Sequence, residues 1–295
     1  MFGIVTRILS SEADCQSPLL LCRVSTRETG VYMKLGTQDK DFFPENILEK
    51  FQMVKDMGFD CFEADGKVLV EHRDEIKQAI QKTGVRVSTA CGGYRGWIGD
   101  FIEERRVNGV EDLKEIIKAL HQTGGTGVVV PAAWGMFTYR LPPMVSPRST
   151  KGDRKAIMDS LQELEKTAKE YHIYLYLEPL NRYQDHMMNT LEDACSIIKE
   201  GEFEMVKITA DFYHMAIEED DISESLVRYK DYIGHIHIAE NHRYQPGTGS
   251  IDFERHIRTL QAIGYEEAVV NEGRIRGDDP RDAYQKSVHY MRQYI

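Results

Sequence analysis

The amino-acid sequence predicts an α/β fold of the (β/α)8 TIM-barrel class, and three observations point there. From Val31 onward, short β-branched or apolar runs alternate with longer amphipathic segments, the rhythm of repeated βαβ units around a parallel sheet. Eight runs of each kind can be counted, the number that closes a barrel. The stretch after the first run, LGTQDKDFFPEN, lacks the GxGxxG phosphate turn that an open doubly wound sheet usually carries there.

The expected strands are residues 31–37, 59–64, 85–90, 127–132, 173–178, 206–211, 233–240 and 267–272. Helical patterns lie at 44–57, 72–83, 110–123, 153–171, 190–200, 221–230, 253–263 and 281–294. Pro44 suits a first helical turn, Asn189-Thr190 precedes Leu191-Glu192 as a capping signal, and Gly58, Gly84, Gly124 and Gly264 each stand where a helix must stop before a strand. The longest connection, Trp134 to Thr150, holds Pro142, Pro143 and Pro147 and follows the fourth strand, which marks it as part of an active-site wall. Residues 1–32 show neither the barrel rhythm nor the basic start and apolar core of a signal peptide. They read as an N-terminal appendage or an overextended start, with 33–295 as one catalytic barrel domain.

Composition narrows the function. With 41% hydrophobic and 29% charged residues the chain is an ordinary globular one, and no apolar run approaches the roughly 18 to 20 residues that cross a bilayer. A net charge of −11, from 48 acidic against 37 basic residues, disfavours a nucleic-acid partner, because binding a phosphate backbone needs surplus Lys and Arg. A small neutral substrate is easier to accommodate. Cys15, Cys22, Cys61, Cys91 and Cys195 are scattered without a CxxC pair, the usage of a reducing, cytoplasmic compartment.

In a barrel the chemistry sits where the strands end, so the last residues of each run are the place to look. The fifth run ends in Glu178, the sixth in Asp211 and the eighth in Glu272, while the seventh carries His235 and His237. Side chains alternate along a strand, so Tyr174, Tyr176 and Glu178 share a face, as do Lys207, Thr209 and Asp211, and Ala268, Val270 and Glu272. Four consecutive strands thereby aim three carboxylates and one imidazole at a single rim. Like charges gathered this closely are unfavourable without a cation, and an oxygen-rich donor set with one nitrogen suits Mn²⁺, Mg²⁺ or Co²⁺ and admits Zn²⁺. One strand-end acid alone is ordinarily a solvated residue or a helix cap; four donors on consecutive strands are not so explained. His235 sits deeper on the same face and reads as a satisfied core histidine, and His242 and His256 as surface or packing residues.

The stretches LEPLNRYQDH, ADFYHM, HIHIAENHRYQPGTGSIDF and VVNEGRI occur in order on successive strands. They resemble the motifs of the xylose isomerase-like sugar epimerases and isomerases, D-tagatose 3-epimerase and its relatives among them, and the resemblance runs from Val31 to Ile295. MKLGTQDKDFFPENILEKF, TACGGYRGWIGDFIEERR and VVPAAWGMFTYRLPP look closer still to a bacterial subgroup, the 3-keto-guloside to 3-keto-glucoside C4-epimerases. The resemblance implies that Glu178, Asp211, His237 and Glu272 hold the metal, with Mn²⁺ the expected cofactor. It implies that His214, Arg243 and Asn181 bind substrate, and it suggests a homodimer or homotetramer. Two departures stand out: Gln184 replaces a substrate-contacting Glu of the ketohexose 3-epimerases, and Gly273-Arg274 replaces the Pro-Phe common after the last ligand.

The chemistry so implied is epimerisation beside a ketone, with Glu178 and Glu272 as acid/base groups on opposite faces of the sugar and Trp134 and Tyr94 as stacking walls. The same deprotonation serves elimination from a 3-keto C-glycoside, and a ketohexose 3-epimerase or aldose–ketose isomerase is a further enzyme alternative. The barrel also serves apurinic-site endonucleases, which need a histidine-rich zinc cluster where this chain offers only His237. A noncatalytic sugar-binding barrel has no need of two protonatable glutamates facing one metal.

Overall fold

The computed structural model describes residues 33–137 and 145–295. The expected appendage at 1–32 therefore lies outside the described residues, as do Pro142 and Pro143 of the long connection. The strands are β1 Lys34–Thr37, β2 Cys61–Ala64, β3 Arg86–Cys91, β4 Gly127–Pro131, β5 Tyr174–Glu178, β6 Val206–Asp211, β7 Ile233–Ile238 and β8 Ala268–Asn271. They pair in parallel in sequence order, and β8 returns to β1 over Lys34↔Ala268 to Thr37↔Asn271, which closes the barrel. Each expected run contains its strand, apart from a one-residue extension of β3 to Cys91.

Between the strands run α1 Ile47–Asp56, α2 Gly66–Glu71, α3 Arg73–Thr83, α4 Glu103–Thr123, α5 Thr150–Tyr171, α6 Leu191–Gly201, α7 Phe212–Glu218, α8 Ile222–Tyr229, α9 Phe253–Ala262 and α10 Pro280–Met291. Most capping signals act as expected: Thr190 and Asp193 form a reciprocal capping box on α6, and Gly84 and Gly124 terminate α3 and α4 in the left-handed conformation. Pro44, however, lies before the first turn of α1, which starts at Ile47 because Asn46 caps it by accepting from Glu49 N.

Three helical features depart from the sequence expectation. Helices α2 and α7 are additions, each a turn or two started by an aspartate directly after a strand: Asp65 accepts from the backbone of Lys67 and Val68, and Asp211 from that of Tyr213 and His214. Elements so short show no helical periodicity to read. Helix α4 begins at Glu103 rather than at 110, because Gly109 does not break it. A Cβ at Gly109 would lie 2.2 Å from the Gly96 carbonyl oxygen, so the glycine is there for close approach of the Gly96 loop.

Two layers fill the molecule. Outward-facing strand residues such as Leu35, Val128, Leu175, Ile208 and Val269 join Leu120, Leu161, Leu226 and Ile257 of the helices in one annular core. Inside the barrel Tyr174 stacks on Tyr176 at 6.1 Å, Tyr176 on His235 at 5.5 Å, and His235 meets His237 edge-on at 4.8 Å. The Tyr176 ring occupies space left by glycines on both sides, since a Cβ at Gly127 or Gly234 would come within 2.3 or 2.5 Å of it. This column plugs the barrel from below and delivers its last ring, His237, to the C-terminal rim. Among the described residues no helix is long and apolar enough to cross a membrane.

Candidate metal and active site

His237 is the hub of the rim. Parallel pairing sets it beside Asp211 on β6 and Val270 on β8, so both neighbouring strands bring their terminal acids to the same height. Its Nδ1 lies 2.9 Å from Glu178 Oε1, 2.7 Å from Glu272 Oε2 and 3.9 Å from Asp211 Oδ2. One ligand atom from each of the four residues falls within 4.8 Å of the others. Asp211 divides its oxygens between two tasks: Oδ1 caps α7 by accepting from Tyr213 N at 2.7 Å and His214 N at 3.3 Å, which leaves Oδ2 facing inward.

The other ring nitrogen finds a residue that the sequence reading missed. Nε2 of His237 lies 2.9 Å from Glu63 Oε1 on β2, and Glu63 Oε2 is 2.9 Å from His235 Nε2. Thr89 Oγ1 donates to the same carboxylate at 2.6 Å and Gln38 Nε2 at 2.8 Å. Burial alone would neutralise Glu63, but His237 and His235 hold it far below the ordinary carboxylate range, so it stays ionised. Accepting from Nε2–H, it fixes the ring so that Nδ1 is presented to the three acids, the arrangement that orients metal-ligating histidines. The signal was available: Glu63 stands one residue before the end of its strand, on the inward face, like the acids that were found.

The donor set fits a hard divalent cation, with three carboxylates and one imidazole nitrogen converging on one point. Glu272 Oε2 is buried without an aligned hydrogen bond, although His237 Nδ1 and Arg243 Nη2 lie 2.7 and 2.6 Å away. Burial and the neighbouring Glu272 charge push Glu178 up to about 7. Burial acts on Glu272 too, yet Arg243 and His237 outweigh it and hold this carboxyl well below its usual value. His237 is pushed well above the ordinary histidine value by Glu63, Glu272 and Glu178 against its own desolvation. Together the shifts describe a buried, strongly interacting cluster in which Glu178 gains a proton more easily than Glu272.

The residues expected to bind substrate divide into two groups. Arg243, held at φ 63°, reaches Asp211 Oδ2 and Glu272 Oε2, each at 2.6 Å, with its guanidinium 4.6 Å from the Tyr213 ring centre. His214 is buried, and burial lowers it to about 4, so the ring is neutral; Nδ1 accepts from Asn181 N at 3.0 Å and Asn181 Nδ2 at 2.8 Å. Its Nε2–H is thereby turned toward the rim, 3.9 Å from Asp211 Oδ2. Asn181 acts through this histidine, since its own Oδ1 accepts from Tyr183 N. Gln184 is half-buried, and its carbonyl accepts from Gly135 N at 2.8 Å, which ties the β5 connection to the loop bearing Trp134. Trp134 is 55% exposed, free to present an aromatic face, whereas Tyr94 packs edge-on against Trp97 and donates to Val129 O. His256 is held by Ser223 at 2.8 Å, and His235 by Glu63 at 2.9 Å beneath the rim. Lys40, unremarked in the sequence, points its amine toward the same rim and is lowered to about 8 by desolvation, with Glu272 opposing.

A family model described as xylose isomerase-like TIM barrel matches residues 51–294. The chain belongs to that family. Among its relatives, the 3-dehydro-D-guloside 4-epimerase of Escherichia coli K12 is 58% identical over 260 residues, which cover 88% of this chain and 99% of the relative. The crystal structure of the E. coli 3-keto-D-glucoside 4-epimerase, apo form, matches with a TM-score of 0.87 over 88% of this chain and 99% of that one. The D-psicose 3-epimerase of Ruminiclostridium cellulolyticum is 26% identical over 257 residues, covering 84% of each chain.

Within this family member, Glu63 supplies a prediction distinct from the four candidate ligands. Glu63→Gln keeps the shape but removes the charge that orients His237, and such outer partners typically contribute about 10- to 100-fold to metal affinity. Calorimetric titration with Mn²⁺ should show a loss of that size in a variant whose circular dichroism matches the parent. Unchanged affinity would mean that His237 needs no support from β2.

Proposed function

We propose that this protein is a cytoplasmic, divalent-metal-dependent epimerase that inverts C4 of 3-keto-hexosides, interconverting 3-keto-gulosides and 3-keto-glucosides. The observation that carries the reading is the pair Glu178 and Glu272, both against His237 Nδ1 but borne by β5 and β8 on different sides of the barrel mouth. The 58% identity to a 3-dehydro-D-guloside 4-epimerase over nearly its whole length supports the substrate class. The free thiols of Cys61, Cys91 and Cys195 agree with a reducing compartment.

A ketone at C3 makes the C4 hydrogen acidic, because the electron pair left behind moves into a C3–C4 double bond and places negative charge on O3. One glutamate carboxylate takes the C4 proton from one face, and the carboxylic acid of the other returns a proton to C4 from the opposite face. No redox change occurs, and the two glutamates exchange protonation states over the cycle. Glu178, Asp211, His237 and Glu272 would hold a divalent cation, Mn²⁺ by the family resemblance with Co²⁺, Mg²⁺ or Zn²⁺ as alternatives, and it would supply Lewis-acid stabilisation of the developing oxyanion worth several kcal/mol. His214, neutral with Nε2–H facing the rim, donates to a substrate oxygen. Arg243, 2.6 Å from both Asp211 Oδ2 and Glu272 Oε2, favours the Glu272 carboxylate in the half of the cycle in which that residue is the base.

Gln184 weighs against a free ketohexose as substrate, since an amide hydrogen-bonds a hydroxyl but cannot act as a carboxylate. Endonuclease chemistry would need further metal centres built from free histidines. Among the described residues the other cluster of potential ligands is Glu63, His235 and His237, whose atoms already hydrogen-bond one another.

EDTA should abolish turnover and Mn²⁺ or Co²⁺ restore it; full activity in metal-free protein would remove the cation from the account. Glu272→Gln retains size and one ligand oxygen while removing a proton carrier. General acid/base groups contribute about 10²- to 10⁴-fold, so turnover should fall that far in a variant that still binds Mn²⁺. Turnover within about threefold of the parent, against that expected loss, would place the second proton carrier elsewhere.

A further inference from the structure

A cavity of about 580 Å³ lies beside the catalytic rim, between the β1–α1 and β8–α10 connections, lined among others by Gln38, Lys40, Phe42, Tyr244, Glu272 and Arg274. Glu272 belongs to both spaces, so the cavity opens directly on the carboxylate assigned to the reacting carbon. Its size decides what it can hold. Pockets of roughly 300 to 1,000 Å³ enclose ligands of several rings, whereas the hydroxymethyl group of a hexose adds one carbon and one oxygen. We propose that this cavity is an aglycone subsite, which takes a second hydroxylated ring joined through C1 of the keto-sugar, so that the substrate is a disaccharide-like glycoside. The proposal rests on the 3-keto-hexoside reading.

The wall is built for hydroxyl recognition. Lys40 Nζ makes a long 3.4 Å contact to the Asn271 carbonyl and lies 5.7 Å from the Tyr284 ring centre, and no ion pair holds it among the described residues. Arg274 likewise has no carboxylate partner there and rests 5.4 Å from the Tyr244 ring centre. Asp39, Asp41 and Glu272 line the same cavity, so its wall sets carboxylate acceptors beside the Lys40 and Arg274 donors, a mixed lining that suits a neutral, hydroxyl-rich occupant better than an anion. Phe42, half-buried, adds an apolar surface for the C–H face of a ring.

The sequence departure after the last candidate ligand explains how this wall arises. A Cβ at Gly273 would meet the Tyr244 carbonyl oxygen at 2.8 Å, so glycine lets the β8 connection lie against the Tyr244 backbone. That contact forms a bridge between Tyr244 and Arg274, and Arg274 N donates to Arg243 O at 2.8 Å. Arg243, which spans Asp211 and Glu272, and Arg274, which faces the cavity, are thus fixed to one another through backbone.

The test compares methyl 3-dehydroguloside with a 3-dehydrogulosyl-glucose disaccharide on the Mn²⁺-loaded enzyme. The parent should prefer the disaccharide in kcat/KM, and Arg274→Ala should reduce the ratio of the two values about tenfold, through KM, the loss expected for a charged hydrogen-bond donor. Lys40→Met should shift the ratio in the same direction and serves if Arg274→Ala does not fold. A ratio unchanged in both variants, or a parent indifferent to the second ring, overturns the subsite while leaving the epimerase reading intact. Failure of the parent to epimerise either compound overturns both.

Discussion

Three carboxylates crowded around one imidazole nitrogen in a buried rim form the constraint on which the rest of this structure depends. Two unit charges 4 Å apart repel by about 4 kcal/mol at an effective dielectric constant of 20, so the cluster persists only where positive charge answers it. The fold answers from several directions. Arg243 adopts a left-handed backbone to reach two of the acids, a conformation that costs a non-glycine residue about 1–3 kcal/mol. Glu63 approaches from β2 behind His237, anchored by Thr89 and Gln38, and keeps the imidazole turned toward the cluster. The Tyr174–Tyr176–His235 column below leaves His237 little room to turn away.

The same constraint explains why the site was so largely legible in the sequence. Parallel strands in register end at a common height, and an acid or imidazole at that height on four consecutive strands is visible as runs that finish in Glu178, Asp211, His237 and Glu272. The barrel was legible for a related reason, since eight buried strands must each be an apolar run and each must be followed by an amphipathic helix. What escaped was set by tertiary proximity. Gly109 looks like a helix break until Gly96 is seen to lie on it, and α2 and α7 are too short to show a period. Glu63 carries the same signal of an inward acid near a strand end, but β2 lies apart from the four consecutive strands that bear the other donors, and its partners come from residues far along the chain. The motif around Asn181 does not show that its amide also meets His214 and Tyr183 N, contacts made only once the chain is folded.

Family membership and individual specificity occupy different parts of the rim. The four converging side chains sit on strand ends or one residue beyond, where the barrel dictates position, and Arg243 bridges two of them from the β7 connection. Gln184, Trp134, Lys40 and Arg274 sit on the connections, where one residue changes what the mouth admits without disturbing the strands. Gly273 shows how small such a change is: the absence of one side chain brings the β8 connection onto Tyr244 and turns a guanidinium into the cavity next to Glu272.

The central claim is that proton transfer occurs at C4 beside a C3 ketone. It is tested most directly by incubating methyl 3-dehydroguloside with the metal-loaded enzyme in D2O, removing the protein and recording proton NMR of the recovered sugars. The account predicts loss of the H4 signal in the 3-dehydroglucoside formed, with H2 and H5 retained. Deuterium at C2 instead, or epimerisation with no solvent deuterium in a reaction run to many turnovers, would contradict it.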